Sequence, residues 1–441
     1  MPFFDRKYLS EQQLKGFDKY KYSCIDSSPI AVYISHPFWN WFVNFYPEWL
    51  APNVLTLAGA LLVMGCYWLV AYFDYYFEVN SSHKAEQFPS WIWVVCGVST
   101  FLAHTLDGTD GKQARRTGAS GPTGELFDHG LDSWSTVPFT LTIFSLFGQG
   151  EYSITPVRLL CVLISVQLVF IVTHWEKYNT GVMFLSWAYD ASQYGLSLFY
   201  LFAYVKGPDY FKYYVFPGYT FAHCFEISFY VCCVFSFLMS FYNMYLAYFV
   251  DKTGKQSNVF EAFLPMISPS ILFGSSLLWA IYSPQGLINQ NPRLFFWTMG
   301  VVFSNIAVRL IIAQMSCNRA EIMNPLLGFY ILIVFGAVGG FFDSFEMTVL
   351  QVSSWVLTLA HIHYGVCVAE DFVGGRRSVF LMDGAQAMAQ FSVRIESQPH
   401  PDDATQFYSR KDLLDILSSM SAVELARKME NISELRNAED D

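Results

Sequence analysis

Beyond residue 50 the chain alternates between long apolar runs and short polar breaks. Ten runs approach the length of about 20 residues that a helix needs to cross a bilayer. They lie near 54–73, 90–107, 125–147, 157–174, 182–205, 221–248, 261–282, 294–315, 325–342 and 346–368. The ninth is short and glycine-rich, so its ends are the least defined. Breaks this short favour one compact helical domain. The expected fold class is all-α, a polytopic membrane protein of about ten transmembrane helices.

The flanks read differently. In residues 1–50, KGFDKYKY at Lys15–Tyr22 is basic and aromatic, and the aromatic-rich stretch Ile30–Leu50 is interrupted by Pro37 and Pro47. That pattern suits a helix lying among lipid headgroups better than a span. The opening MPFFDRKYLSEQQ lacks the basic-then-apolar order of a cleaved signal peptide, so insertion is expected to rely on the first spanning helix. After about 369 the chain becomes polar. There Leu413, Leu414, Leu417, Met420, Val423 and Leu425 recur at helical intervals, as in a peripheral amphipathic helix. The expected organisation is an N-terminal interfacial segment (1–50), a catalytic six-helix unit (51–248), four further transmembrane helices (249–368) and a cytosolic tail (369–441).

Composition sharpens the class. Of 441 residues, 53% are hydrophobic, 18% aromatic and only 14% charged, whereas soluble proteins carry about a quarter charged residues. The net charge of −11, with no basic patch, excludes a nucleic-acid partner. Nine scattered cysteines form no Cys-x-x-Cys pair and read as apolar fillers. With a cytosolic N-terminus, the cytosolic loops hold Lys112, Arg115, Arg116, Lys177, Lys252, Lys255 and Arg319. The opposite side carries Lys84, Lys206, Lys212 and Arg293, a modest agreement with the positive-inside rule. Asn80, in NSS, then faces the lumen as a candidate glycosylation acceptor.

One stretch breaks the apolar pattern. LDGTDGKQARRTGASGPTGELFDHGLDSWS, from Leu106 to Ser135, gathers acids and bases between two spans. Asp107 and Asp110 lie i,i+3 at the end of the second span, and Asp128 and Asp132 lie i,i+4 at the start of the third. Each pair shares a helix face. The glycine-rich linker between them can turn sharply and bring the helix ends together. Four converging carboxylates must protonate or hold cations, and hard oxygen ligands favour two Mg²⁺ or Mn²⁺ ions. Gly108 and Gly111 are expected to leave room for a ligand's phosphates, with Arg115 offering a bidentate phosphate contact. Such a site suits displacement at a pyrophosphate. The intervals fit neither an EF-hand nor a P-loop.

The spacing D-G-x-x-D-G-x-x-A-R-x8-G-x-x-x-D-x-x-x-D is filled by Asp107, Gly108, Asp110, Gly111, Ala114, Arg115, Gly124, Asp128 and Asp132. It closely resembles the signature of the CDP-alcohol phosphotransferase family. WLAPNVLT at 49–56, HWEKYNTG at 174–181, AHIHYGV at 360–366, GFDKYKYS and HPFWN are similar to segments of the eukaryotic ethanolaminephosphotransferases. The resemblance covers about residues 10–368. It implies the CDP-alcohol phosphotransferase fold, with ten membrane helices of which the first six are catalytic. It also implies transfer of phosphoethanolamine from CDP-ethanolamine to diacylglycerol, giving phosphatidylethanolamine and CMP. Relatives suggest an endoplasmic reticulum or Golgi membrane, an active site facing the cytosol and a homodimer among membrane lipids.

Within that resemblance Asp107, Asp110, Asp128 and Asp132 are the metal ligands. Family analogy sets Glu125 and Asn53 at the CDP-alcohol, beside Gly111 and Arg115, with Lys112 as a further phosphate contact. Two residues compete as the base that takes the diacylglycerol proton. Asp132 is one, although a carboxylate held by cations accepts protons poorly. His129, whose intrinsic pKa is near neutral, is the preferred candidate. The intramembrane groups Asp190, Glu226 and Arg309 require internal partners, which the sequence does not name. His361 and His363 read first as hydrogen-bonded packing residues, with lining of a lipid cavity as the alternative. Glu176 and Lys177 are either headgroup contacts or loop contacts. The rival enzyme reading is a choline or dual-specificity transferase. The rival class is an ion-coupled transporter, which would spread its acids along several spans.

Overall fold

A computed structural model describes residues 6–81 and 88–373. The expected amphipathic helix of the C-terminal tail and Lys84 therefore lie outside the described residues. Ten helices of 14 residues or more occur among them, one at each apolar run. They are α1 (Pro52–Phe73), α2 (Trp91–Thr117), α3 (Pro122–Phe144), α4 (Pro156–Thr180), α5 (Ala188–Lys206), α6 (Phe221–Tyr245), α7 (Ile267–Tyr282), α8 (Pro292–Met315), α9 (Pro325–Val338) and α10 (Glu346–Val373).

Local sequence explains the starts. Five of these helices, α1, α3, α4, α8 and α9, carry proline in their first turn, where the missing N–H costs nothing and φ is already helical. Thr155, Asn291 and Asn324 cap α4, α8 and α9 by accepting backbone N–H groups. Gly118 ends α2 and Gly181 ends α4 in the left-handed region, at φ 68° and 82°.

Six helical segments are long and apolar enough to cross a membrane, corresponding to α1, α4, α6, α7, α8 and α10 with their extensions. The chain is thus an all-helical integral membrane protein with several spans. Helices α2 and α3 fall outside that set because they carry the charged cluster, and α9 has only 14 residues. Among the described residues, strands are limited to two short pairs. Cys24–Ile25 runs parallel to Met183–Phe184, and Tyr214–Phe216 pairs with Tyr219–Thr220 across a turn at Gly218, φ 81°.

Helix α8 is the axis of the fold. Nearly every residue from Phe295 to Met315 is buried, and the helix packs against α3, α4, α7 and α10. Helices α1, α2, α3 and α5 form the adjoining group around the polar end of α2. The two groups share α3.

Before α1 the chain makes a strap. The run Ala31–Phe45 is helical throughout, with Pro37 in the first turn of its α-helical part and Pro47 beyond its end. Ala31, Ser35, Trp39 and Val43 are buried along one face, while Tyr33, Trp41 and Phe45 are exposed on the other.

Several expectations change on contact with the structure. Arg293 is not a loop charge: it is 1% exposed. It donates to the carbonyls of Tyr75 and Asp74 and to Ser145 Oγ, at 2.8, 2.9 and 2.8 Å. Its withdrawal widens the positive-inside bias. Asn80 is also fully buried, with Nδ2 3.4 Å from Asp74 Oδ2. A glycosyl acceptor must be accessible, so Asn80 does not serve as one in this fold. Helix α2, finally, does not stop near 107 but continues to Thr117. The intervening loop is only 118–121. The polar continuation is held from the strap: Gln113 Nε2 donates to the carbonyls of Pro47 and Leu50, and Arg116 to those of Val43 and Tyr46.

Candidate active site

The short turn after Gly118 sets the end of α2 beside the start of α3. One carboxylate oxygen from each of Asp107, Asp110 and Asp128 lies within 4.8 Å of the others. Thr56 of α1 donates to Asp110, and Tyr189, in the first turn of α5, donates to Asp107 at 2.8 Å. Asp128 Oδ1 is buried without a hydrogen-bond partner. Carboxylates this close repel unless a cation or proton intervenes. The hard donor set and the orphaned oxygen therefore fit a divalent ion. Asp132, one helical turn deeper, lies within electrostatic reach of Asp107 and Asp110 but outside that oxygen trio.

The two signature glycines do different work. A Cβ on Gly108 would sit 2.3 Å from the Trp39 ring, so its face is filled by the strap and not kept open for phosphates. Gly111 is open, and a Cβ there would meet only Arg115 Nη1, at 3.6 Å. Gly108→Ala is thus expected to overpack the joint and cost about 1–3 kcal/mol, seen as a lowered melting temperature in detergent. Gly111→Ala should leave that temperature unchanged. Equal melting temperatures for both variants would contradict the assignment.

Arg115 is exposed, with its guanidinium beside Gly111, where a phosphate of a bound nucleotide can approach. Lys112 instead donates to Asn40 of the strap at 2.8 Å. Asn53 stands at the start of α1, its Oδ1 3.6 Å from where a Cβ on Gly124 would lie.

Glu125 is the most heavily engaged acid of the region. It accepts from Tyr20 OH at 2.8 and 2.7 Å and from Lys177 Nζ. Burial, with Glu125 beside it, pushes the Tyr20 phenol well above its usual pKa, so it acts as a donor there. His129 bridges the two acidic groups. Its Nδ1 is 3.8 Å from Glu125 and its Nε2 3.8 Å from Asp128. The ring stands edge-on to His174 at 5.1 Å, and Nδ1 is buried without a hydrogen bond. A ring so placed can receive a proton once a hydroxyl enters.

Sequence reasoning missed Tyr20, Thr56 and Tyr189 as members of this region. Thr56 had a readable signal, since it falls i,i+3 from Asn53 on the same face of α1. Tyr20 is 105 positions from Glu125, and Tyr189 is 82 from Asp107, so neither had one. Of HWEKYNTG, Lys177 enters the region, while Glu176 is buried against α6 and accepts from Asn243 at 2.8 Å.

The remaining intramembrane charges find their partners. Asp190 receives Ser35 Oγ at 2.6 Å and meets His104 Nε2 at 2.9 Å. Glu226 pairs with Arg158 at 2.6 Å, and Arg309 with Glu321 at 2.8 Å. His361 lies 3.4 Å from Asn305 and edge-on to Trp134, and His363 lies 3.2 Å from Tyr8 OH. Both have the contacts of packing residues. The acids that are not neutralised this way gather at the end of α2 and the start of α3, not along the spans, which argues against a transport pathway.

The sequence pattern of one family, described as CDP-alcohol phosphatidyltransferase, matches residues 49–237. Over 368 residues the chain is 43% identical to the human protein named ethanolaminephosphotransferase 1, covering 82% of this chain and 91% of that one. The mouse protein of that name is 42% identical over 369 residues, covering 82% and 92%. The cholinephosphotransferase 1 of Xenopus laevis is 30% identical over 397 residues, covering 87% and 92%.

Proposed function

Because the chain belongs to the CDP-alcohol phosphatidyltransferase family, we propose that it is an ethanolaminephosphotransferase. It transfers phosphoethanolamine from CDP-ethanolamine to the hydroxyl of diacylglycerol, yielding phosphatidylethanolamine and CMP. The observation that carries this reading is the 43% identity to a protein of that name along most of both chains. The weaker match to a cholinephosphotransferase, at 30%, makes choline or dual use the second reading.

The arrangement of residues supports the chemistry. A nucleotide arrives from water and the acceptor lies in the bilayer, so the reaction belongs at their boundary. The polar end of α2 and α3 stands there. Asp107, Asp110 and Asp128, with Asp132 beneath them, would hold two Mg²⁺ or Mn²⁺ ions. Bound there, such ions supply Lewis-acid neutralisation of the pyrophosphate and of the departing CMP. Tyr189 and Thr56 hold the carboxylates in orientation by donating to Asp107 and Asp110. Arg115 and open Gly111 receive the phosphates, with Lys112 joining once released from Asn40, and Asn53 and Glu125 line the rest of the CDP-alcohol site. His129 takes the diacylglycerol proton as its oxygen bonds to the phosphorus that bears ethanolamine. The bond from that phosphorus to the CMP oxygen breaks.

All ten helices cross the membrane on this reading, α1–α6 forming the catalytic unit and α7–α10 the supporting one. The N-terminal strap lies at the cytosolic surface. The expected setting is a homodimer in endoplasmic reticulum or Golgi membrane. Purified protein should convert diacylglycerol with CDP-ethanolamine, more slowly with CDP-choline, and lose activity to chelator until Mg²⁺ or Mn²⁺ is restored. Equal use of both nucleotides would overturn the ethanolamine assignment, and use of neither would overturn the enzyme.

A further inference from the structure

Lys177 is a buried cation in an unusual place. Its side chain is 2% exposed, and that of its partner Glu125 is 7% exposed. The ammonium lies 5.4 Å from the ring centroid of Tyr20 and 4.7 Å from that of Tyr22. A carboxylate acceptor with two aromatic faces around one –NH₃⁺ group is a recognition site for a primary ammonium. Tyr20 completes it by donating to both oxygens of Glu125, which holds the carboxylate in one orientation.

This box adjoins the reaction site. The His129 imidazole lies between Glu125 and Asp128, 3.8 Å from each. In the donor substrate only an oxygen and two carbons separate the reacting phosphorus from the ammonium. A phosphate held at the carboxylate cluster would therefore deliver its ammonium to Glu125.

Resting on the ethanolaminephosphotransferase reading, we propose that Lys177 is a placeholder for the substrate's own ammonium. CDP-ethanolamine displaces it from Glu125 and sets its –NH₃⁺ against the same oxygen and the same two rings. The box also gives the headgroup choice a physical basis. Displacing Lys177 strips Glu125 Oε1 of an N–H donor, and a primary ammonium replaces it. A trimethylammonium has no N–H, and its methyl groups keep the charge away from the carboxylate. Glu125, still held by Tyr20, then loses its charged N–H donor without a replacement, which discriminates against the trimethylammonium. Tyr20, Tyr22 and Lys177 are thereby specificity-determining residues.

The test uses the full chain in lipid nanodiscs, measuring KM for CDP-ethanolamine and CDP-choline and inhibition by CMP, which shares the nucleotide but lacks the ammonium. Lys177→Met removes the competitor, so KM for CDP-ethanolamine should fall severalfold while CMP inhibition is unchanged. Tyr22→Leu removes one ring from a half-exposed position, 50% accessible. It should raise that KM about two- to fivefold, again with CMP unaffected. A raised KM in Lys177→Met, or weakened CMP inhibition in either variant, would assign Lys177 and Tyr22 to the nucleotide and overturn the proposal. Unchanged KM in Tyr22→Leu overturns it equally, and that variant decides the matter if Lys177→Met fails to fold. Wild-type enzyme that used only CDP-choline would refute the ethanolamine reading separately, whatever the variants showed.

Discussion

Asp128→Asn is expected to lower turnover by roughly a thousandfold, the effect of losing several kcal/mol of charge stabilisation at the pyrophosphate. The substitution preserves volume, so packing is not the cause. What changes is the donor set, in which Asp128 is the α3 member of an oxygen trio otherwise supplied by α2. One of its oxygens is buried without a partner. The assay is single-turnover transfer to diacylglycerol at saturating Mg²⁺, alongside Mn²⁺ binding followed by electron paramagnetic resonance. Both signals should fall together. Turnover within tenfold of wild type would remove Asp128 from the metal set.

Substituting His129 with alanine should separate binding from chemistry. General-base loss costs on the order of 10²–10⁴ in rate, whereas affinity for CDP-ethanolamine should hold, because the ring contacts Glu125 and Asp128 without a hydrogen bond from Nδ1. The readouts are kcat and equilibrium binding of the nucleotide to the same preparation. Asp132→Asn tests the competing candidate: it should weaken metal binding, as a ligand would, and His129→Ala should not. Near-normal turnover in His129→Ala would return the role of base to Asp132.

Hydropathy alone located all ten long helices, because each needs an apolar run and the runs are separated by prolines, asparagines and glycines that start or stop a helix. It failed where a helix carries charge. Helix α2 was cut short at Asp107, since its last three turns are polar and are held by carbonyls of the strap. Gly108 was misread for a related reason. Two glycines in one motif look equivalent until Trp39, 69 positions upstream, is seen to fill the space beside one of them. The aspartate cluster was legible because its members lie on two consecutive helices joined by a tight turn, so spacing alone implies proximity. Tyr20 and Tyr189 were not, since they reach the site from distant segments and tyrosine is abundant along this chain.

The strap carries a consequence for the order in which the protein is made. The segment leading into it is anchored by the backbone N–H groups of Tyr8 and Leu9, which donate at 2.8 and 3.0 Å to Asp371 at the end of α10. Phe17 packs at a tilt against Phe372, ring centroids 4.3 Å apart. Those anchors are the last residues of the described domain to leave the ribosome, while the segment they fasten is among the first. That segment is therefore fastened only after the last described helix has been made. A nascent chain lacking its final helix holds every aspartate of the signature yet lacks the contacts that fasten the segment leading to Tyr20.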